Sequence, residues 1–199
     1  MNASFDQETR TAGWTLAGTG ILAILLMSQH PSGSDGGIMT PLVHGGLQMV
    51  LIGQLAALLI VVRSWGWSLL PTAGLLFFAA GQLAGLGAAT INGFIVPSLT
   101  SYAADQIGHD ITAFAWEANQ ALAMLGAISI GSAFAILSIR LWQDARRGLA
   151  IAGWLAGLVP TILLAAGQIS MNLYGASIVY GMQAAWLIAL GWHFARRKG

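Results

Sequence analysis

The chain has 199 residues, of which 56% are apolar and only 8% charged, with a net charge of +1. A soluble domain carries about a quarter charged residues, so there is too little charge here to cover a water-exposed surface. Cysteine is absent, which excludes disulfides, thiolate metal sites, cysteine nucleophiles and iron–sulfur clusters, and no basic patch interleaved with aromatics points to nucleic acid.

The start of the chain, Met1 to Arg10, is slightly acidic, and no clean small-residue cleavage site follows it. The first apolar run is therefore expected to be a retained helix and not a secretory signal. A membrane span needs about 20 apolar residues. The first candidate covers 11–29 and ends in the Gly-rich loop His30 to Gly37. The second covers 41–62, with Pro41 at a natural helix start and Arg63, Trp65 and Trp67 beyond its end. The third covers 69–93, and Pro97 with the polar stretch Ser98 to His109 is expected as the second outer loop. The fourth covers 111–139, closed by Arg140, Asp144, Arg146 and Arg147. The last uncharged run is too long for one span. Splitting it near Asn172 predicts two helices, 148–170 and 173–194, with a kink at Pro160.

All eight basic residues then fall on one side: Arg10, Arg63, Arg140, Arg146, Arg147, Arg196, Arg197 and Lys198. Basic residues near helix ends stay in the cytoplasm. The expected fold is thus an all-α integral membrane protein. Six transmembrane helices form one compact domain over 1–199, with both termini cytoplasmic in a bacterial-type inner membrane. Trp14, Trp65, Trp67, Trp142 and Trp192 would lie at the inner interface, and Tyr102 and Tyr174 at the outer one, as an aromatic belt requires. Gly81-x-x-x-Gly85 and Gly153-x-x-x-Gly157 permit close helix approach, most simply within the bundle. Dimerisation, or association with another membrane protein, is the minority reading of the same glycines.

Polar groups in hydrocarbon are costly and mark function. Glu117 stands out. Counted from Asp110 as the outer surface, it lies ~10 Å down the fourth helix, on one face with Gln120 and Met124. His44 and Gln48 sit one above the other on the second helix. Asn92 ends the third, Gln168 the fifth, and Asn172 opens the sixth. These residues predict a polar pocket open to the periplasm, above an inner half that is apolar except for Gln54, Gln82 and Gln183. The leading expectation is a site that binds or transforms a small amphipathic ligand. Glu117 and His44 would be its acid–base pair, and Gln48, Asn92, Gln120, Asn172 and Gln168 would orient the ligand.

A second reading uses the outer-face histidines His30, His44 and His109 for zinc or copper, with Met27, Met39 and Met49 nearby as thioether ligands. His30 and His44 would also be the only pair able to hold a haem, since His193 lies near the inner end. The sequence requires no cofactor. A third reading is a structural subunit of a membrane complex without chemistry of its own. No Gly-x-Ser-x-Gly elbow, phosphate loop, paired His box or intramembrane Lys is present.

Overall fold

The computed structural model of the chain describes residues 3–30, 37–102 and 106–196. It is all helical. α1 is Ala3–Ser28 and α2 is Met39–Ser64; α3, Leu69–Thr90, widens into a π-helical turn over Ile91–Ile95 and continues as the short α4, Val96–Tyr102. α5 is Gln106–Gln143, α6 Arg147–Ala165 and α7 Leu173–Ala195. Six of the helices in the described residues are long and apolar enough to cross a membrane, α3 being counted with its extension.

Turn chemistry sets the ends. The Asn172 side chain caps α7 by accepting the Gly175 N–H at 2.9 Å, satisfying one orphan donor of the first turn. α6 ends with Gly167 at φ +67° and a Gln168 N–H to Leu163 carbonyl bond of 2.9 Å, a Schellman closure. α5 ends the same way, but with Ala145 at φ 59° and Arg146 N–H on the Leu141 carbonyl at 2.9 Å. An alanine in that region carries a cost glycine avoids.

Neighbours in the chain pack side by side, and α7 closes on α1 to complete a ring. Successive helices run antiparallel. Gly13 meets Ala195 and Gly20 meets Ile188 across α1 and α7, while Gly74 meets Leu137 and Gly81 meets Ile130 across α3 and α5. Gly153 and Gly157 abut Ser138 and Gly131 between α6 and α5. The sequence's small-residue pairs are thus spent within the bundle, where lipid-like surroundings leave close packing as the main attraction.

The helix ends that carry Arg10, Arg63, Arg140, Arg146, Arg147 and Arg196 gather at one end of the ring; Arg197 and Lys198 lie outside the described residues. There Arg63 pairs with Glu8, Arg140 with Asp144 at 3.2 Å, and Arg196 sits 4.1 Å over the Trp192 ring. Just inside this basic end the ring centre is filled by aromatics. Phe134 stands 4.2 Å from Trp186 and 6.1 Å from Phe78, ring centre to ring centre, and the Trp186 indole donates to the Leu149 carbonyl at 3.0 Å.

Two helices are longer than the spans 69–93 and 111–139 predict. α5 alone has 38 residues, about 57 Å, against a hydrocarbon thickness of ~30 Å. It is thus longer than one span requires, and its first turns form the end of the bundle away from the arginines, the far end.

Ring closure rests on glycine contact. Gly191→Ala would drive a methyl into the Gly13 carbonyl and the Ala17 nitrogen, so a loss of about 1–3 kcal/mol is expected. Gly18→Ala meets open space and is expected to gain up to about 1 kcal/mol of helix propensity. Thermal unfolding in mild detergent checks both; equal effects would contradict the α1–α7 packing.

Candidate functional site

Six rods in lateral contact leave a central space nearly as wide as another helix, because the centre lies one interaxial distance, ~8–10 Å, from each. Toward the basic end Phe78, Phe134 and Trp186 fill it. Toward the far end the inward positions are small, among them Gly85, Ala88, Ala123 and Ala184, and a cavity of about 410 Å³ remains. It is lined by α1, α2, α3, the π turn, α5 and α7, but not by α6. Two bonds across the ring account for that exclusion. The Tyr180 hydroxyl donates to the Ala123 carbonyl at 3.4 Å and the Gln183 amide to the Ala127 carbonyl at 3.0 Å, tying α7 directly to α5. The cavity opens at the far end, where Trp116, Asn172 and Leu173 are exposed, and closes on buried Gln54, Phe78 and Gln82.

His44 is the best-held polar group at the rim. It is 3% exposed, one turn into α2. Its Nδ1 lies 2.7 Å from the Thr40 carbonyl. A carbonyl only accepts, so Nδ1 carries the proton and Nε2 is left as an acceptor. Asn92 fills that role, its amide donating to Nε2 at 3.0 Å. Asn92 reaches the ring from the π turn, in which the Val96 N–H goes back five residues to the Ile91 carbonyl. Single π turns of this kind recur at functional sites. The next residue, Gly93, lies so close to the His44 Cβ that a side chain there would collide with it. The His30 ring stands edge-on to His44, 4.8 Å between centres.

Several expected site residues lie elsewhere. Glu117 is exposed and outside the cavity wall, so it does not face His44. Trp116, Asn119, Gln120 and Ala123 hold the inward face of α5, and Glu117 lies about 100° round the helix from Trp116. Measured back from Arg140 it lies ~35 Å along the helix, more than the ~30 Å of a bilayer's hydrocarbon core. Gln48 is tied to α3, donating to the Thr90 hydroxyl at 2.8 Å, and is not on the wall. Gln168 is exposed in the turn after α6. Asn92, Gln120 and Asn172 do line the cavity together with His30 and His44.

Among the described residues no three His, Asp or Glu side chains stand together as a metal site, so His109 does not join His30 and His44. Binding a metal or haem through His44 would require it to give up Thr40 or Asn92.

The floor holds residues that the sequence reading left outside the site. Gln82 donates to the Gln54 side-chain carbonyl at 3.1 Å, Gln183 lies beside them, and Asn119 and Tyr180 line the wall above. Asn119, Ala123, Gly126 and Ile130 recur at helical spacing on α5; that mixed polar and small-residue face is the signal that marks the wall. Among the described wall residues none is Asp, Glu, Lys or Arg. Comparison with known protein families, with curated proteins and with solved structures finds no match for this chain.

Asn92→Leu removes the only donor seen on His44 Nε2 and is expected to cost about 1 kcal/mol, the scale of hydrogen bonds between membrane helices. In a double-mutant cycle with His44→Phe, the second substitution should cost less in the Asn92→Leu background than alone. Strict additivity in detergent unfolding would remove the bond from the account.

Proposed function

We propose that the chain is a multi-pass protein of a bacterial-type inner membrane, with both termini in the cytoplasm, whose cavity takes up a small amphipathic molecule from the periplasmic side. The observation that carries this reading is the cavity itself: 410 Å³, walled by apolar side chains, polar at the rim and floor, with its exposed lining residues at the far end. Ligand sites typically have ~300–1,000 Å³ and a few placed polar groups on apolar walls. The clustering of arginines at the closed end supports a cytoplasmic location for that end. A site with access from one side needs no path through the aromatic plug, which favours binding over conduction.

In this reading His44 and Asn92 are the rim's hydrogen-bonding pair, with His30, Gln120 and Asn172 around them. Glu117, exposed and off the cavity wall, is given no acid–base role in this reading. A second reading retains the histidines as metal or haem ligands, and the closeness of His30 to His44 is the observation that favours it. A stoichiometric metal or a Soret band in the purified protein, lost in His44→Ala, would select it.

Orientation is testable because the chain has no cysteine of its own. A single Thr100→Cys should react with a membrane-impermeant maleimide on intact cells, and Gln143→Cys only after lysis. The reverse pattern overturns the orientation. Leu51→Trp places an indole in the cavity and should abolish any small molecule that copurifies with the wild type, as measured by mass spectrometry of solvent extracts. An unchanged extract would refute occupancy of this cavity.

A further inference from the structure

The floor of the cavity contains an unmet demand. Gln82 is 1% exposed. Its amide nitrogen is used on Gln54, but its carbonyl oxygen, Oε1, is enclosed and has no hydrogen-bond partner. Of the enclosed side-chain atoms without a partner among the described residues, it is the one on a residue of the cavity wall. An enclosed acceptor left unmet costs about 1–3 kcal/mol. The oxygen is closed off from the cavity in this conformation, so a donor reaches it only when the amide turns about its last side-chain torsion, which is soft and broad.

Two further features limit what that donor belongs to. Among the described wall residues none is Asp, Glu, Lys or Arg, and the two histidines stand at the rim. A carboxylate, phosphate or ammonium pushed to this depth would be buried without a counter-charge, at several kcal/mol. The ligand end that reaches the floor is therefore neutral. Gln54 also lies ten residues below His44 on α2, about 15 Å. A volume of 410 Å³ spread over that length admits a molecule about one chain or one ring across.

We propose that the floor is a hydroxyl-binding subsite, at which a slender, uncharged, lipid-soluble alcohol or phenol donates its O–H to Gln82 Oε1 while its apolar body lies along the wall toward His44. This rests on the ligand-cavity reading above and adds the chemical class. Gln54 is a positioning residue, holding the Gln82 amide so that its carbonyl and not its NH₂ is the atom left over. A ketone or ether of the same size has no hydrogen to give Gln82 Oε1 and leaves that acceptor unmet.

The test compares three ten-carbon probes of nearly equal size, decanol, methoxynonane and decanone, on the full chain in phosphatidylcholine nanodiscs, read by native mass spectrometry and by the shift in melting temperature. Decanol is expected to bind one per chain, about tenfold tighter than the other two, the ratio one hydrogen bond of ~1.4 kcal/mol produces. Gln82→Leu should bring decanol down to the level of the other two. Gln82→Asn, which keeps the amide but withdraws it by one methylene, should do the same if the leucine variant fails to fold. Equal binding of all three probes to the wild type, abolished by Leu51→Trp, would overturn the hydroxyl subsite and leave the cavity reading standing. Tighter binding of decanone would overturn it too, because it requires a donor at the floor. Failure of all three to bind would overturn both.

Discussion

The structure depends on how closely its helices approach one another. In lipid there is no hydrophobic gain from pressing one apolar helix on another, so contact area and van der Waals fit decide the packing. Glycines supply that fit at each seam where they are most needed: Gly13 and Gly191 between α1 and α7, Gly81 and Gly126 between α3 and α5, Gly131 and Gly157 between α5 and α6. Three such seams, with α2 bridging α1 and α3, bend a simple up-and-down chain into a ring. A ring of six has a hollow middle by geometry, and the remaining question for the sequence is what to put there.

The two halves answer it differently. Near the arginines, large aromatic side chains meet at the axis and lock one another, with the Trp186 N–H satisfied by a neighbouring carbonyl. Near the far end, alanines and glycines face inward and cannot reach each other. Such a void loses the contacts a filled core would make, so it is kept open only by the polar bonds that brace its wall. Tyr180 and Gln183 brace α7 against α5, and Asn92 and Thr90 tie the third span to His44 and Gln48 of α2. The cavity is thus a consequence of small residues on one side and cross-bundle hydrogen bonds on the other.

Polar side chains in this protein divide into those that hold the wall and those left over. His44, Gln48, Asn172 and Gln183 are all occupied by partners within the bundle, which makes them structural before they are anything else. Gln82 differs in that its second amide atom, Oε1, is enclosed and without a partner. That imbalance, and the absence of Asp, Glu, Lys and Arg along the described wall, gives the site its chemical character more than the histidines do.

The sequence by itself determined that the chain is helical, that six helices are long and apolar enough to cross a membrane, and that the arginines gather at one end of them. These follow from local properties: run length, hydropathy and the position of charges between runs. It also pointed to His44, Asn92, Gln120 and Asn172 as site residues, because each is a polar group at or near the same end of a predicted span. The roles of Glu117, Gln48 and Gln168 were not legible. Which way Glu117 faces depends on which neighbours α5 chooses, and its distance from the basic end depends on how long α5 is; neither is a property of the residues around it. The cavity floor was hidden for the same reason. Gln54 on α2 and Gln82 on α3 are 28 residues apart in the chain, and only the closing of the ring brings their amides together and leaves one carbonyl unmatched.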